Sequence, residues 1–360
     1  MKILILSNFG MGLYKFRKEL IETLRVNDFD VHLAIPVDAY TEKLKALGAH
    51  IHEVNLDRRG KNPFKDLLLL RSYLSIIKKV RPEIVLTYTI KPNIYGGLAC
   101  RLKKIPYIVN ITGLGTALEK QSLSALLIKR FYNSIIKKAH FVFFQNEANK
   151  TFFDEISVPS TVLPGSGVNL NDYTLREFPL HQTEINLLFI GRLMKSKGIY
   201  ELLDVAERLE NSDIKFSVVG FMDSKDTQIK TKMLRLSNVE FKGEIDEIRE
   251  VISQSQALVL PSYHEGLSNV LLEAAACGRP VLASNIPGCQ ETFIEGISGF
   301  GFEPKNADSL YHVILKFKAL SPNEREKMGI EGRKFVEKMF NRSDIINDYL
   351  NVLKSIERGT

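Results

Sequence analysis

The chain has 360 residues, 44% of them hydrophobic and 25% charged, which is the composition of a globular, water-soluble protein with two domains. Its three cysteines (Cys100, Cys277 and Cys289) lack the spacing of a disulfide framework or a zinc site, which favours a reducing compartment. No stretch approaches the roughly 20 apolar residues that span a bilayer, and polar Ser7 and Asn8 end the first apolar run too early for a signal peptide.

The net charge of +7 is unevenly distributed along the chain. Residues 1–170 hold 25 Lys and Arg against 14 Asp and Glu, whereas residues 171–360 hold 24 against 28. The positive first half predicts an anionic partner: a membrane surface, a diphosphate or a nucleic acid. No zinc spacing, helix-turn-helix signature or aromatic RNA platform supports the nucleic acid.

Apolar runs of strand length alternate with longer amphipathic segments from the beginning of the chain. The first half predicts strands at residues 3–6, 31–35, 50–54, 84–88, 107–111 and 141–145. Helical periodicity lies between them, most clearly at residues 64–79 and 123–138. This alternation predicts a parallel sheet with helices on both faces.

The alternation pauses at residues 163–183, a polar stretch rich in proline and glycine that we interpret as a linker. Further strands are then predicted at residues 185–191, 215–220, 239–242, 257–260 and 280–283, and a helical tail at 323–358. We therefore predict an α/β protein with two doubly wound domains, residues 1–165 and 184–342, joined by a linker at 166–183. Ligands of such sheets bind beyond the carboxyl ends of the strands.

The strongest motif joins a buried strand to a helix and reads LVLPSYHEGLSNVLLE at residues 258–273. Gly266 lets the backbone approach a ligand closely, and a helix that begins near Ser268 offers free N–H groups to an anion. Glu265 can accept hydrogen bonds from sugar hydroxyls, and Glu273, one turn into the helix, from a ribose diol.

A second motif, LFIGRLMKSKG at residues 188–198, places Arg192 and Lys197 in the loop that follows a strand. Two cations at the carboxyl end of a strand suit a diphosphate leaving group, since they stabilise the charge that develops as the glycosidic carbon–oxygen bond breaks. Paired carboxylates also occur in glycoside hydrolases, but a hydrolase needs no Arg/Lys pair beside them.

These two motifs resemble the retaining GT-B glycosyltransferases of family 4. The resemblance covers nearly the whole chain and includes Pro287-Gly288 with Glu291, and Gly296 with Gly299. It implies two Rossmann-like domains facing across a cleft, with a nucleotide-sugar donor bound mainly by the second domain and an acceptor by the first. It also implies that a final helix, residues 343–360, crosses back onto the first domain.

Carried over residue by residue, the resemblance assigns Arg192, Lys197 and Glu265 to catalysis. Arg192 and Lys197 grip the diphosphate, and Glu265 holds the sugar. The implied donor-binding residues are Gly10 and Gly12 in the loop after the first strand, Gly243 and Glu244 near the base, Gly266, Leu267, Ser268 and Asn269 through their N–H groups, and Glu273 at the ribose.

The first domain departs from the broader family, in which many members carry a histidine after the fifth strand. Here Thr112 stands at that position, so the resemblance predicts no imidazole there. The stretches Lys91-Pro92-Asn93 and Thr112-Gly113-Leu114-Gly115 resemble a bacterial subgroup that extends capsule, O-antigen or protein-glycan precursors on a polyprenyl diphosphate, often from UDP-N-acetylhexosamines. Lys91, Asn93, Thr112 and Gly113 are therefore the candidates for contact with the acceptor or its phosphates.

The resulting hypothesis is a retaining, metal-independent transfer from a UDP-sugar to a lipid-linked saccharide, without a cofactor. The one Asp-x-Asp sequence, Asp28-Phe29-Asp30, precedes a strand and so predicts a turn and no metal site. Basic clusters predict peripheral attachment to the cytoplasmic face of an anionic membrane. They are Arg58-Arg59-Gly60-Lys61, Arg101-Lys103-Lys104, Lys129-Arg130 and Lys137-Lys138. The alternatives are a UDP-sugar 2-epimerase of the same architecture and a non-catalytic sugar-nucleotide sensor.

Overall fold

In the computed structural model the chain forms two compact units, Met1–Ser166 with Ser343–Thr360, and Gly167–Arg342. The structure describes residues 1–57, 60, 62–113, 123–153, 156–180, 183–222 and 227–357. Most of the segment that the sequence assigns to a linker is counted with the second unit. The physical reason is backbone pairing, because Val168 N donates to Phe340 O and Arg342 N donates to Val168 O.

The first unit contains a seven-stranded parallel sheet with the order β3-β2-β1-β4-β5-β6-β7. Its strands are β1 (Lys2–Leu6), β2 (Asp30–Ile35), β3 (His50–Glu53), β4 (Ile84–Tyr88), β5 (Tyr107–Ile111), β6 (Phe141–Phe144) and β7 (Ser160–Val162). β1 pairs with both β2 and β4, so that Ile3 lies between Val31 and Ile84. The short edge strand β7 has no counterpart among the strands predicted from the sequence.

Helices connect these strands. They are α1 (Gly10–Val26), α2 (Thr41–Ala46), α3 (Pro63–Val80), α4 (Gly97–Lys103), α5 (Leu123–Ile136) and α6 (Glu147–Phe152), with a π-helix at Pro92–Gly96. The start of α3 illustrates the local control, because the Asn62 side chain accepts a hydrogen bond from Phe64 N and Pro63 occupies the first helical position.

The second unit contains a six-stranded parallel sheet with the order β10-β9-β8-β11-β12-β13. Its strands are β8 (Ile185–Ile190), β9 (Ile214–Val219), β10 (Val239–Gly243), β11 (Ala257–Leu260), β12 (Val281–Ser284) and β13 (Gly299–Phe302). Its helices are α7 (Ile199–Arg208), α8 (Thr227–Arg235), α9 (Arg249–Ser253), α10 (Asn269–Ala276), α11 (Ala307–Ala319) and α12 (Pro322–Met339). The edge strand β13 was not predicted from the sequence.

The helical tail consists of α12 and a separate helix α13 (Arg342–Glu357). The break falls at Phe340 and Asn341, where the chain pairs with Val168 in an isolated parallel bridge. α13 packs in the core of the first unit, where Ile345, Tyr349 and Leu353 are buried beside β1 and β4. Burial of each such apolar side chain contributes roughly 1.5–3 kcal/mol.

Both sheets have the strand order 3-2-1-4-5-6 of the Rossmann fold, extended by β7 in the first unit. The predicted fold class, with two doubly wound parallel-sheet domains, is confirmed. In such a sheet the connections diverge at the point where the strand order reverses, which opens a crevice at the carboxyl ends of two adjacent strands. That point lies between β1 and β4 in the first unit and between β8 and β11 in the second.

Candidate active site

The loop after β8 lies directly on the loop after β11. Gly198 ends the short 3-10 turn Lys195–Lys197 with a φ of +71°. A Cβ atom at this position would lie 2.0 Å from Pro261 O, so only glycine permits the approach. Tyr263 N donates to Ser196 O at 2.9 Å and joins the two loops a second time.

Tyr263 also anchors the β11 loop to α7. Its hydroxyl donates to Glu201 Oε1 at 2.5 Å. Burial, followed by this hydrogen bond to a carboxylate, holds the pKa of Tyr263 well above its usual value, so the phenol stays protonated. The sequence analysis did not identify Tyr263 as important, although it lies within the motif, two residues before Glu265.

Lys197 and Glu265, which the sequence predicts to act together, form an ion pair in the structure. Lys197 Nζ lies 2.5 Å from Glu265 Oε1, and the two side chains are 21% and 13% exposed. An ammonium carries three N–H donors, and this contact uses one of them. The pair is therefore preorganised, and two donors of Lys197 remain to be matched.

Arg192 follows β8 in the same loop and is exposed. Its side chain has no ion-pair partner in the part of the chain that the structure describes. Lys197 and Glu265 neutralise each other, whereas no ion pair in the described residues matches the charge of Arg192. Such an unmatched cation suits an anionic ligand.

The segment from Glu265 to the start of α10 packs against Gly288. Gly288 has a φ of +87°, and a Cβ atom there would lie 2.7 Å from the carbonyl oxygens of Glu265 and Gly266. Ser268 N donates to Gly288 O at 2.8 Å. The N–H group of Ser268 is therefore already paired, which corrects its predicted role as a free donor to the donor phosphate.

Two other predicted donor-binding residues in this region are buried. Leu267 is 7% exposed and packs in the core of the second unit. Glu273 is also 7% exposed, although the sequence analysis placed it at the ribose. Its charge acts on Tyr173, whose pKa is raised by burial and then by Glu273. The roles of Asn269 and Glu273 stay predictions.

Gly243 and Glu244, predicted near the nucleotide base, lie at the carboxyl end of β10, with β9 between β10 and β8. Gly243 has a φ of +73°, and its carbonyl accepts a hydrogen bond from Gly220 N at 2.8 Å. Glu244 is exposed. Both residues therefore lie at the ligand edge of the sheet, and their contact with a base stays a prediction.

Gly10 and Gly12 form part of a helix, which corrects the prediction of a glycine loop. α1 begins at Gly10, and the carboxylate of Asp38 accepts hydrogen bonds from Gly10 N at 2.7 Å and Met11 N at 3.0 Å. The carboxylate of Asp38 thus binds the first two N–H groups of α1, and contact of Gly10 or Gly12 with a donor phosphate stays a prediction. Asp38 itself gave no signal in the sequence.

Lys91 is also paired within the first unit. Its Nζ lies 2.6 Å from Asp66 Oδ1 and 2.8 Å from Gly60 O. Tyr95 donates to the other oxygen of Asp66, and burial followed by this bond raises the pKa of Tyr95 to about 12. The structure therefore shows Lys91 as a tie between α3 and the π-helix, and contact with a phosphate would require it to leave Asp66.

Asn93, a candidate for contact with the acceptor or its phosphates, is instead fully buried. The five-residue π-helix turns it inward, where its amide nitrogen donates to Asn110 O at 3.0 Å and to Tyr132 OH at 2.5 Å. Thr112 and Gly113 follow β5 and are partly exposed. Leu114 and Gly115, like Arg58, Arg59 and Lys61, lie outside the described residues.

Arg279 is a structural residue that the sequence analysis missed. It is completely buried, and its guanidinium donates to six backbone carbonyls. They belong to residues 176, 177, 252, 253, 277 and 278. Burial lowers the pKa of Arg279 to about 10. It joins the first segment of the second unit to the ends of α9 and α10.

The comparisons with known proteins identify the class of protein. Residues 174–335 match the family model of glycosyl transferases group 1, and residues 2–146 match that of glycosyl transferase 4-like proteins. Among solved structures, sucrose-phosphate synthase from Thermosynechococcus elongatus superposes with a TM-score of 0.84 at 19% identity over 100% of both chains. HepE from Anabaena in complex with UDP superposes with a TM-score of 0.80 at 18% identity over 99% of this chain and 100% of that one. This chain is a glycosyltransferase with the GT-B fold.

More specifically, its second half matches the group 1 model and its first half the 4-like model, and curated relatives match most of its length. N,N'-diacetylbacillosaminyl-diphospho-undecaprenol alpha-1,3-N-acetylgalactosaminyltransferase of Campylobacter jejuni is 29% identical over 87% of this chain and 88% of that protein. The capsular polysaccharide biosynthesis glycosyltransferase CapM of Staphylococcus aureus is 25% identical over 89% of this chain and 88% of that protein. UDP-Gal:alpha-D-GlcNAc-diphosphoundecaprenol alpha-1,3-galactosyltransferase of Escherichia coli is 25% identical over 79% of this chain and 80% of that protein. The predicted family is confirmed.

Proposed function

We propose that this chain transfers a sugar from a UDP-sugar to a saccharide linked to a polyprenyl diphosphate, with retention of anomeric configuration and without a metal ion. The sugar is an N-acetylhexosamine, and the product is a precursor of a capsule, O-antigen or protein glycan. The observation that carries the proposal is the contact of Lys197 with Glu265 between the carboxyl ends of β8 and β11.

The charges of this junction fit a nucleotide diphosphate that carries a sugar. Arg192 and the two remaining donors of Lys197 bind the diphosphate, while Glu265 accepts hydrogen bonds from sugar hydroxyls. As the bond between the anomeric carbon and the phosphate oxygen breaks, negative charge grows on the phosphate, and these cations stabilise it. They supply the positive charge that a metal ion supplies in other phosphate-transfer sites.

Retention follows if the acceptor hydroxyl attacks from the face that the diphosphate leaves. The acceptor oxygen forms a bond to the anomeric carbon, and its proton passes to the departing phosphate oxygen. No side chain is needed as the base, which agrees with Thr112 at the position where many relatives of this family carry histidine. Positioning and phosphate stabilisation then supply most of the rate.

The names of the sequence relatives support the substrates. The Campylobacter jejuni relative acts on a diphospho-undecaprenol acceptor and transfers N-acetylgalactosamine, and the Escherichia coli relative uses UDP-Gal and a diphosphoundecaprenol acceptor. Both names combine a transferred hexose or N-acetylhexosamine with a lipid diphosphate, and the second also names a UDP-sugar as the donor. We extend this pair of substrate classes to the present chain.

A surface of the first unit fits a lipid-linked acceptor, and we call it the α3–α5 surface. Its exposed apolar side chains are Phe64, Leu67, Leu68, Leu102, Leu126, Leu127 and Phe131. α4 packs against both α3 and α5, so these side chains share one helical layer. Arg71 and Arg130 are exposed in the same layer. Apolar side chains beside cations are suited to an anionic bilayer surface, and each cation adds about 1 kcal/mol.

We propose that the α3–α5 surface holds the enzyme at the inner face of the cytoplasmic membrane. No helix in the described part of the chain is both long enough and apolar enough to cross a bilayer. In sedimentation with anionic liposomes at low salt, Leu126→Ser/Leu127→Ser should bind less than the unmodified protein. Val26→Ser is the matched control, because Val26 is 82% exposed on α1, outside this surface. Equal binding of both variants would contradict the proposed surface.

The activity is tested by incubating the full chain with a panel of nucleotide sugars and a synthetic short-prenyl diphosphate-linked saccharide. We expect transfer from a UDP-N-acetylhexosamine at a rate that EDTA does not change. The coupling constant of the anomeric proton should show the same anomeric configuration in the product as in the donor. Incubation with the UDP-sugar alone tests the alternative epimerase, which needs no acceptor. Inversion of the anomer, or loss of activity in EDTA that Mg²⁺ restores, would contradict the proposed mechanism.

A further inference from the structure

Two tyrosines and two lysines form a cluster at the carboxyl edge of the sheet in the first unit. Tyr14 and Lys15 lie in the second turn of α1, Tyr40 immediately precedes α2, and Lys43 lies in α2. The ring centroids of Tyr14 and Tyr40 are 5.5 Å apart, with the planes inclined by 43°. The cluster follows β1 and β2, so it lies at the edge where parallel sheets bind ligands.

Both ammonium groups converge on one ring. Lys43 Nζ lies 4.9 Å from the Tyr40 centroid and 5.6 Å from the Tyr14 centroid, and Lys15 Nζ lies 5.9 Å from the Tyr40 centroid. In the described residues neither lysine has a carboxylate within ion-pair distance, and both are exposed. Lys45, on the same short helix, instead pairs with Glu42 at 2.8 Å.

Asp38 fixes the segment that carries Tyr40. Its carboxylate accepts hydrogen bonds from Tyr40 N at 2.9 Å and from the first two N–H groups of α1, and Asp38 N donates to Thr41 Oγ1 at 3.0 Å. The negative charge of Asp38 is therefore matched by backbone donors. Tyr40 is held in place before a ligand arrives, and the two lysine charges stay uncompensated.

We propose that this cluster binds the head of the acceptor, a saccharide attached to a diphosphate. The apolar face of a pyranose ring stacks on Tyr40 and Tyr14, and the ammonium groups of Lys15 and Lys43 bind the phosphate oxygens, since lysine acts as a point charge toward phosphate. This inference rests on the proposed function and names the acceptor-binding residues that the function requires. It replaces Lys91, whose charge Asp66 already pairs.

Equilibrium binding to the full chain tests the inference with two probes, farnesyl-diphosphate-linked N-acetylglucosamine and uncharged octyl N-acetylglucosaminide. The unmodified protein should bind the diphosphate probe more tightly. Lys15→Gln/Lys43→Gln should weaken binding of that probe by about tenfold and leave binding of the uncharged probe unchanged, because two exposed charge pairs with the diphosphate are lost. Tyr40→Leu should weaken the binding of both probes, whereas Lys45→Gln, the matched control, should leave the binding of both unchanged.

A lysine double variant that behaves like Lys45→Gln would overturn the inference, as would an unmodified protein that binds the two probes equally well. The lysines are exposed, so this variant tests the site even if Tyr40→Leu does not fold. Titration of UDP into the same samples tests the proposed function separately. A protein that does not bind UDP contradicts the donor, whereas one that binds UDP without a lysine-dependent preference contradicts the acceptor site alone.

Discussion

The ion pair between Lys197 and Glu265 gives the sharpest test of the candidate active site. Lys197→Met and Glu265→Gln each remove one charge at nearly constant volume. At 2.5 Å and an effective dielectric constant near 20, the attraction between unit charges is about 7 kcal/mol, most of which offsets desolvation of the two groups. The net coupling in a double-mutant cycle of stability should therefore be about 1–3 kcal/mol.

For catalysis the expected losses are larger. Each single variant should lower kcat/KM by 100- to 1,000-fold, since a preorganised group that stabilises transition-state charge contributes roughly 3–4 kcal/mol. The double variant should be little worse than either single variant, because residues that act as a unit are non-additive. Initial rates with a UDP-sugar and a diphosphate-linked acceptor measure both effects.

The ion pair of exposed Lys334 with half-buried Glu331 on α12 supplies the matched control, with a separation of 2.8 Å. Lys334→Met and Glu331→Gln should leave kcat/KM and stability nearly unchanged, because exposed pairs contribute little. Near-normal turnover of both Lys197→Met and Glu265→Gln would remove the site assignment. Losses that add in the double variant would show that the two side chains act independently, contrary to the geometry.

Three further variants test the stability of the two units. Arg279→Met should lower the free energy of unfolding by about 3–5 kcal/mol, because it leaves buried carbonyls without donors. Urea titration measures this loss, and Arg235→Met, a change at an exposed arginine, is the control. A loss below about 1 kcal/mol would contradict the prediction. Tyr349→Phe should cost about 0.5–1.5 kcal/mol through the lost bond to Asn110, and an unchanged melting temperature would refute that. Burial, then His32, Lys79 and His50, lower the pKa of His52. The folded state therefore binds fewer protons than the unfolded one, and stability should fall as the pH drops below about 6.5, less so in His52→Gln; equal pH profiles of the melting temperature would argue against it.

The sequence predicted the central strands and the two motif loops because their signals are local. A buried strand, a glycine and a helix start occur within 16 residues at 258–273, and the structure has β11 and α10 there. The edge strands β7 and β13 were missed. β7 has three residues, too few to show a period, and β13 alternates glycine with phenylalanine, which is typical of a loop as well as a strand.

The internal partners of candidate residues in the first unit could not be predicted, for a different reason. Gly10 N binds Asp38, 28 residues away, and Lys91 binds Asp66, 25 residues away. Such partners lie on other elements and become neighbours only when the sheet forms. A motif shows that a cation or a free N–H group is present, but the sequence around it does not show which internal carboxylate uses it.

The two units differ in which of their cations and N–H groups internal carboxylates already bind. In the first unit, Asp38 and Asp66 already bind the N–H groups of α1 and the ammonium of Lys91, so these groups have little capacity left for the phosphates of a donor. In the second unit, Lys197 is paired with a residue of the same site, and Arg192 has no ion-pair partner in the described ranges. Positive charge that internal carboxylates leave unmatched is what a diphosphate can bind. We therefore expect the second unit to provide most of the affinity for the nucleotide, and the uncompensated lysines of the first unit to bind the acceptor.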